Sequence, residues 1–258
     1  MNNHIYWQVT GSGEDIVFLH GWGMNGAVWE HVAKVLSCHY RVHLVDLPGY
    51  GLSSKCIALS MDDIVAQLLL RAPKNAIWVG WSLGGLIASH VARYFPEFVC
   101  GLVTVASSPK FAADSHWRGI SSKVLSDFTT QLIQDFQQTI DRFMALQAMG
   151  SQTARQDLKQ LKMSILSKPA PNPEVLLSGL TMLKEIDQRD ELMDLSLPML
   201  RMYGRLDGLV PMKVAQELDK LWIKTESLLF SQSSHAPFIT EFDVFCDALR
   251  KFIQKLHD

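Results

Sequence analysis

"AIWVGWSLGGLIASHVARYF", residues 76–95, changes character at its centre. Ala76 to Trp81 is an unbroken apolar run and reads as a buried strand. From Leu83 to Arg93, the apolar residues Leu86, Ile87, Ala88, Val91 and Ala92 recur at helical spacing. Between the two lies Gly80-Trp81-Ser82-Leu83-Gly84, a G-x-S-x-G junction from strand to helix. A serine on so sharp a turn has its hydroxyl held out at the end of the sheet. The residues two before and two after it must be small for strand and helix to pass so closely. The Leu83 N–H then lies at a helix N-terminus, where it can face a developing negative charge. A glycine-rich turn with a capping serine is the plain alternative, and the flanking strand and helix argue against it.

Outward from this junction, apolar and β-branched runs recur at Ile16 to Leu19, Tyr40 to Val45, Val99 to Val105, Met199 to Tyr203 and Ser227 to Phe230. Helical patterns fall between most of them. Val28, Trp29, Val32, Val35 and Leu36 make one apolar face, and Ser60 with Asp63 forms a capping box that opens a helix through Leu70. This alternation predicts an α/β fold, a mostly parallel sheet with helices on both faces and functional groups beyond the carboxyl ends of the strands. The alternation stops between residues 111 and 186, where the pattern is helical and broken by "PAPNP" (169–173). Residues 1–110 and 187–258 are therefore expected to form the core and 111–186 an inserted helical lid.

The 258 residues are 48% hydrophobic and 19% charged, a globular composition with a sizeable core. A net charge of -2 gives no general attraction to nucleic acid or to an anionic membrane, so neither is an expected partner. No run approaches the ~18 apolar residues of a spanning helix, and the N-terminus lacks the basic start and apolar stretch of a signal peptide. The four cysteines, Cys38, Cys56, Cys100 and Cys246, are far apart and form no C-x-x-C pair. Reduced thiols in a cytoplasmic protein, with no metal site, are expected. No oligomerisation signal is visible, and a monomer is the expectation.

The elbow at Ser82 resembles the nucleophile elbow of the α/β-hydrolase superfamily, in which the chain order is serine, acid, histidine. A serine hydroxyl needs a base to take its proton, and the base needs a carboxylate to fix its tautomer. Of nine histidines, His235 in "SQSSHAPFI" follows the last strand run directly and precedes a C-terminal helix, which places it at a strand's carboxyl end. Asp207, in "PMLRMYGRLDGLVP", lies four residues beyond Tyr203 on a loop closed by Gly208 and Pro211. It is favoured over Asp187, Asp190 and Asp194, which precede that strand. Asp46 precedes the serine and is read as shaping its turn with Pro48 and Gly49.

Further segments carry a narrower resemblance: "HGWGMN", "HLVDLPGYG", "VTVASSP", "RFMALQAMG", "TARQD", "LDGLVP", "DKLW" and "HAPFI". Together they resemble the pimeloyl-acyl-carrier-protein methyl ester esterases of biotin synthesis, from about residue 16 to 240. The resemblance implies a serine carboxylesterase without metal or redox cofactor, whose partner is the acyl carrier protein bearing the methyl-pimeloyl chain. It implies that the Trp22 N–H, in "FLHGWGMN", joins that of Leu83 in the oxyanion hole, with His20 bracing the loop. It further implies that Phe143, Met144, Ala145, Leu146 and Gln147 contact substrate, along with Trp22, Ser82, Leu83 and His235; ordinary lid packing is the alternative for the helical residues. Trp81 either walls the pocket or braces the elbow. Read as a helix, Arg155, Lys159 and Lys162 share one face, with Leu158, Leu161 and Ile165 on the buried side. That stripe, extended by Arg142, is either a docking surface for the acidic carrier protein or a solvated face. A broad esterase or thioesterase for small acyl substrates is the rival activity, and a non-catalytic binding protein is disfavoured because all three triad residues are present.

Overall fold

β1 (Trp7–Thr10), β2 (Asp15–Leu19), β3 (Arg41–Val45), β4 (Ala76–Trp81), β5 (Val99–Val105), β6 (Met199–Gly204) and β7 (Glu226–Phe230) make one sheet in the order β1-β3-β2-β4-β5-β6-β7. The computed structural model describes residues 4–257, and for residues 136 and 137 the backbone alone. Every neighbouring pair is parallel except β1 with β3. The chain steps from β2 outward to β3, then returns to β4 on the other side of β2 and runs on toward β7. Right-handed crossovers in the two directions place helices on opposite faces, and the reversal opens a crevice at the carboxyl ends of β2 and β4.

The central strands are apolar on both faces because both are covered, and all six residues of β4 are buried. α1 (Glu30–Leu36), α2 (Met61–Leu69), α3 (Leu83–Tyr94), α8 (Met212–Leu221), α9 (Pro237–Thr240) and α10 (Phe242–Lys255) belong to this layered core. α2 opens as its sequence predicts: Ser60 Oγ accepts the Asp63 N–H at 3.1 Å and donates to the Asp63 carboxylate at 2.7 Å. β1 has no counterpart in the sequence expectation. Only Trp7 of its four residues is buried, so the edge strand shows no apolar alternation.

Between β5 and β6 the chain forms α4 (Ser122–Gln134), α5 (Phe136–Ala148), α6 (Ala154–Leu166) and α7 (Pro173–Glu185). Ser121, Asp135 and Asn172 cap the first, second and fourth of these. Phe128, Phe143, Met144, Leu161 and Leu176 join the same hydrophobic cluster as the sheet. The helical segment therefore has no separate core and is held by the apolar surface it covers. Among the described residues no helix is long and apolar enough to cross a membrane.

Candidate active site

Ser82 lies between the end of β4 and the start of α3 with φ 54° and ψ −118°, a backbone conformation that is unfavourable for any residue with a side chain. The strain is held by close approach on both sides. A Cβ at Gly80 would collide with the Gly84 carbonyl and Gly85 Cα, and one at Gly84 would lie 2.6 Å from the His20 carbonyl oxygen. The Ser82 N–H donates to the Val105 carbonyl at 2.9 Å, and Ser107 Oγ donates to the Ser82 carbonyl at 2.8 Å. The small residues flanking the serine are thus a steric requirement of this turn.

Beyond β6, Asp207 accepts the Leu209 and Val210 N–H groups on Oδ1 at 2.8 and 3.0 Å, which leaves Oδ2 to meet His235 Nδ1 at 2.8 Å. Both side chains are buried. With Nδ1–H donated to the carboxylate, Nε2 carries the lone pair, and it is buried without a partner among the described residues. Ser82 Oγ and Nε2 are not hydrogen-bonded to each other here; such bonds tighten when substrate binds. The His235 peptide is fixed from two sides. Its N–H donates to the Gln147 carbonyl at 3.1 Å, and its carbonyl accepts the Trp81 indole N–H at 2.7 Å. Trp81 therefore braces His235 from the residue next to the serine, a contact across 154 positions that no local pattern in the sequence signals. Asp187 is engaged elsewhere: Arg189 at 2.7 Å and Lys110 at 3.1 Å surround it, and the Arg189 hydrogen bond holds its carboxyl down to about 2.

The loop after β2 runs directly past the elbow, so that a Cβ on Gly21 would lie 3.2 Å from the Ser82 Cβ. Trp22 is fully buried, its indole N–H donating to the Leu176 carbonyl at 2.9 Å and its ring edge-on to Phe143 at 4.8 Å. His20 Nδ1 donates to the Gly21 carbonyl at 2.8 Å and Nε2 accepts the Leu47 N–H at 3.0 Å, so the ring ties this loop to the one after β3. The Nε2 bond needs the neutral imidazole, since a protonated Nε2 cannot accept. Burial, outweighing the attraction of Asp46, pushes His20 down to about 4. Its contribution to stability is present above the unfolded value near 6.5 and is lost as the pH falls toward 4, where the unfolded chain takes a proton that the native one refuses. The loss amounts to about 3 kcal/mol. Urea unfolding of wild type and His20→Gln should show the wild-type advantage shrinking by about that amount between pH 7 and pH 4; a constant difference would contradict the assignment. Asp46 accepts the Leu52 N–H across its own turn at 2.8 Å, and also the Gly26 N–H, from the chain after β2, at 2.7 Å. It also forms a buried ion pair with Lys168 at 2.8 Å, a partner 122 residues away that sequence spacing does not suggest.

Residues 16–242 match the family model described as alpha/beta hydrolase fold. The chain is 61% identical over 252 residues to the pimeloyl-[acyl-carrier protein] methyl ester esterase of Vibrio cholerae, covering 98% of this chain and 99% of the relative. It is 59% identical over 258 residues to the protein of that name from Vibrio atlanticus, with 99% and 100% covered. The chain belongs to the pimeloyl-[acyl-carrier protein] methyl ester esterase family. An esterase from Exiguobacterium antarcticum superimposes with a TM-score of 0.85 at 21% identity over 97% of this chain and 95% of its own. A bromoperoxidase from Bacillus anthracis reaches 0.86 at the same identity and coverage. Those two likenesses show the fold that the esterase family shares.

In this member of the esterase family, α5 carries Phe143, Met144 and Gln147 buried, Leu146 half-buried and Ala145 exposed, so helical periodicity turns Ala145 away from the face that packs over the site. Phe143 lies between Trp22 and Phe128. The basic stripe is shorter than the sequence suggests. Lys162 is paired with Asp141 at 3.0 Å, and Arg142 reaches Gln131 Oε1 at 2.6 Å and lies over the Phe128 ring. Arg155 and Lys159 remain exposed on α6. Leu161 is fully buried and Leu158 and Ile165 partly so, as the helical reading requires.

Proposed function

We propose that this protein hydrolyses the methyl ester of methyl-pimeloyl acyl carrier protein, giving methanol and pimeloyl acyl carrier protein in biotin synthesis, with residues 111–186 as its lid. The observation that supports the reaction class is the buried Asp207–His235 bond, which presents a basic Nε2 at the same sheet edge as the strained Ser82. Near full-length identity to esterases of that name supports the substrate.

Ser82 Oγ attacks the ester carbonyl while His235 Nε2 takes its proton, and Asp207 stabilises the imidazolium that forms. The Trp22 and Leu83 N–H groups receive the oxyanion, each worth ~3 kcal/mol in the transition state. Collapse expels methoxide, which leaves as methanol with the proton from His235. Water, deprotonated by the same nitrogen, then attacks the acyl-enzyme and restores Ser82. No step requires a metal or redox cofactor. The thioester to the carrier is untouched because only the distal ester enters the site. The separated thiols fit a reducing cytoplasm. Mass spectrometry of methyl-pimeloyl acyl carrier protein after incubation should show loss of the methyl group alone; loss of the whole acyl chain would identify a thioesterase instead.

Arg155 and Lys159 dock the acidic carrier. Arg155→Glu combined with Lys159→Glu should lower kcat/KM on the carrier-bound ester about tenfold at low salt, an effect that fades as ionic strength rises, while leaving 4-nitrophenyl acetate unaffected. Equal losses on both substrates would count against docking.

A further inference from the structure

Asp157 is a carboxylate on α6 with 4% of its surface exposed and no part in the chemistry above. Its Oδ2 accepts the Ser151 hydroxyl at 2.9 Å and the Thr240 hydroxyl at 2.8 Å. Ser151 belongs to the turn between α5 and α6, and Thr240 ends α9, which begins two residues after His235. A second set of bonds runs parallel to this one. Ser234 Oγ donates to the Met149 carbonyl at 2.9 Å, and the His235 N–H donates to the Gln147 carbonyl at 3.1 Å. The segment from His235 to Thr240 is therefore gripped at both ends by the stretch of lid from Gln147 to Asp157. The sheet holds the same segment from the other side, through the Trp81 indole on the His235 carbonyl.

We propose that Asp157 is a positioning residue for the catalytic base: by clamping Ser151 and Thr240 together it locks the α5–α6 turn onto the His235 loop, so that the lid completes the triad as well as roofing it. This rests on the assignment of His235 as the base. The Gln147 and Met149 acceptors are main-chain carbonyls at the end of a helix, and their position is set by how the α5–α6 turn is seated. Ser151 and Thr240 report that seating to Asp157, whose buried carboxylate lies between them. With the clamp cut, the α5–α6 turn is no longer seated by Asp157 and the Gln147 carbonyl that anchors the His235 peptide loses its fixed position, while Trp81 and Asp207 still hold the histidine from the sheet side. A displacement of the base by about 1 Å is enough to cost on the order of 100-fold in proton transfer.

A lid that only roofs the site and receives the carrier should be dispensable for a substrate too small to touch it, so 4-nitrophenyl acetate separates the two roles. Asp157→Ala should lower kcat on this ester by about tenfold or more with KM changed less than about twofold. Asp157→Asn keeps an oxygen that accepts both hydroxyls and should recover most of the loss. Thr240→Val removes one arm of the clamp and should lower kcat severalfold, and the double variant with Asp157→Ala should be no slower than Asp157→Ala alone, since both act through one contact. The low-field proton signal of the His235–Asp207 bond should broaden in Asp157→Ala and persist in Asp157→Asn. A folded Asp157→Ala protein with unchanged kcat, or with a loss confined to KM, overturns the proposal. Should that variant fail to fold, an unchanged kcat in Thr240→Val overturns it equally. Aryl-ester turnover that survives Ser82→Ala would instead remove the triad reading itself, a result that none of the clamp variants can mimic.

Discussion

Ser82→Ala should lose hydrolysis of the carrier-bound methyl ester and of 4-nitrophenyl acetate alike, with kcat/KM down by about 10⁴-fold or more. Without Oγ no acyl-enzyme forms, and a fluorophosphonate probe should no longer label the protein. The fold should be indifferent to the change. Ser82 has no capping side-chain bond at the start of α3, so no buried partner is orphaned when the hydroxyl is removed. Ser82→Gly carries the argument further. At φ 54° and ψ −118° a side chain is strained and glycine is not. The glycine variant should be equally inactive yet more stable by about 1 kcal/mol, because strain kept for catalysis is released. Thermal unfolding of the two variants checks this; a glycine variant less stable than wild type would mean that the elbow is not under strain.

Asp207→Asn should be nearly as severe, and for a reason specific to this loop. Oδ1 is committed to two backbone N–H donors, Leu209 and Val210. An asparagine must keep its oxygen there, which turns its amide N–H₂ toward His235 Nδ1. That nitrogen then becomes the acceptor, the ring proton moves to Nε2, and the side facing Ser82 can no longer take a proton. kcat/KM at neutral pH should fall by about 10⁴-fold with little change in stability. The acyl-transfer burst should vanish with it. Asp207→Ala breaks the same catalytic link and also leaves the two amides unpaired in a buried loop, so it should lose stability as well, by about 1–3 kcal/mol. Activity in Asp207→Asn within tenfold of wild type would exclude Asp207 as the acid.

The strands that bear the site were legible because parallel strands covered on both faces are written as unbroken apolar runs, and β2, β4, β5 and β6 lie within a residue or two of where such runs fall. β1 was not, since an edge strand with one buried residue has no pattern to read. Ser82 was legible through its flanking glycines, and Asp207 and His235 through their places after strands. Their pairing was favoured by position after the strand, but the contact itself was not written in the sequence: the 2.8 Å bond between Asp207 and His235 shows it, while Arg189 and Lys110 hold Asp187 elsewhere.

By itself, then, the sequence determined which chemistry the chain carries: short-range signals such as G-x-S-x-G, a capping box or an apolar period depend on backbone sterics and local burial, and these act over a few residues. The tertiary structure alone decided how that chemistry is held. Trp81 on the His235 carbonyl, Lys168 on Asp46, Lys162 drawn away from its stripe by Asp141, and Asp157 between Ser151 and Thr240 are all contacts between side chains and groups on separate elements. Such contacts are fixed by where the sheet and the helices bring the chain back upon itself, and a side chain's partner across that distance leaves no periodic trace in the order of the residues.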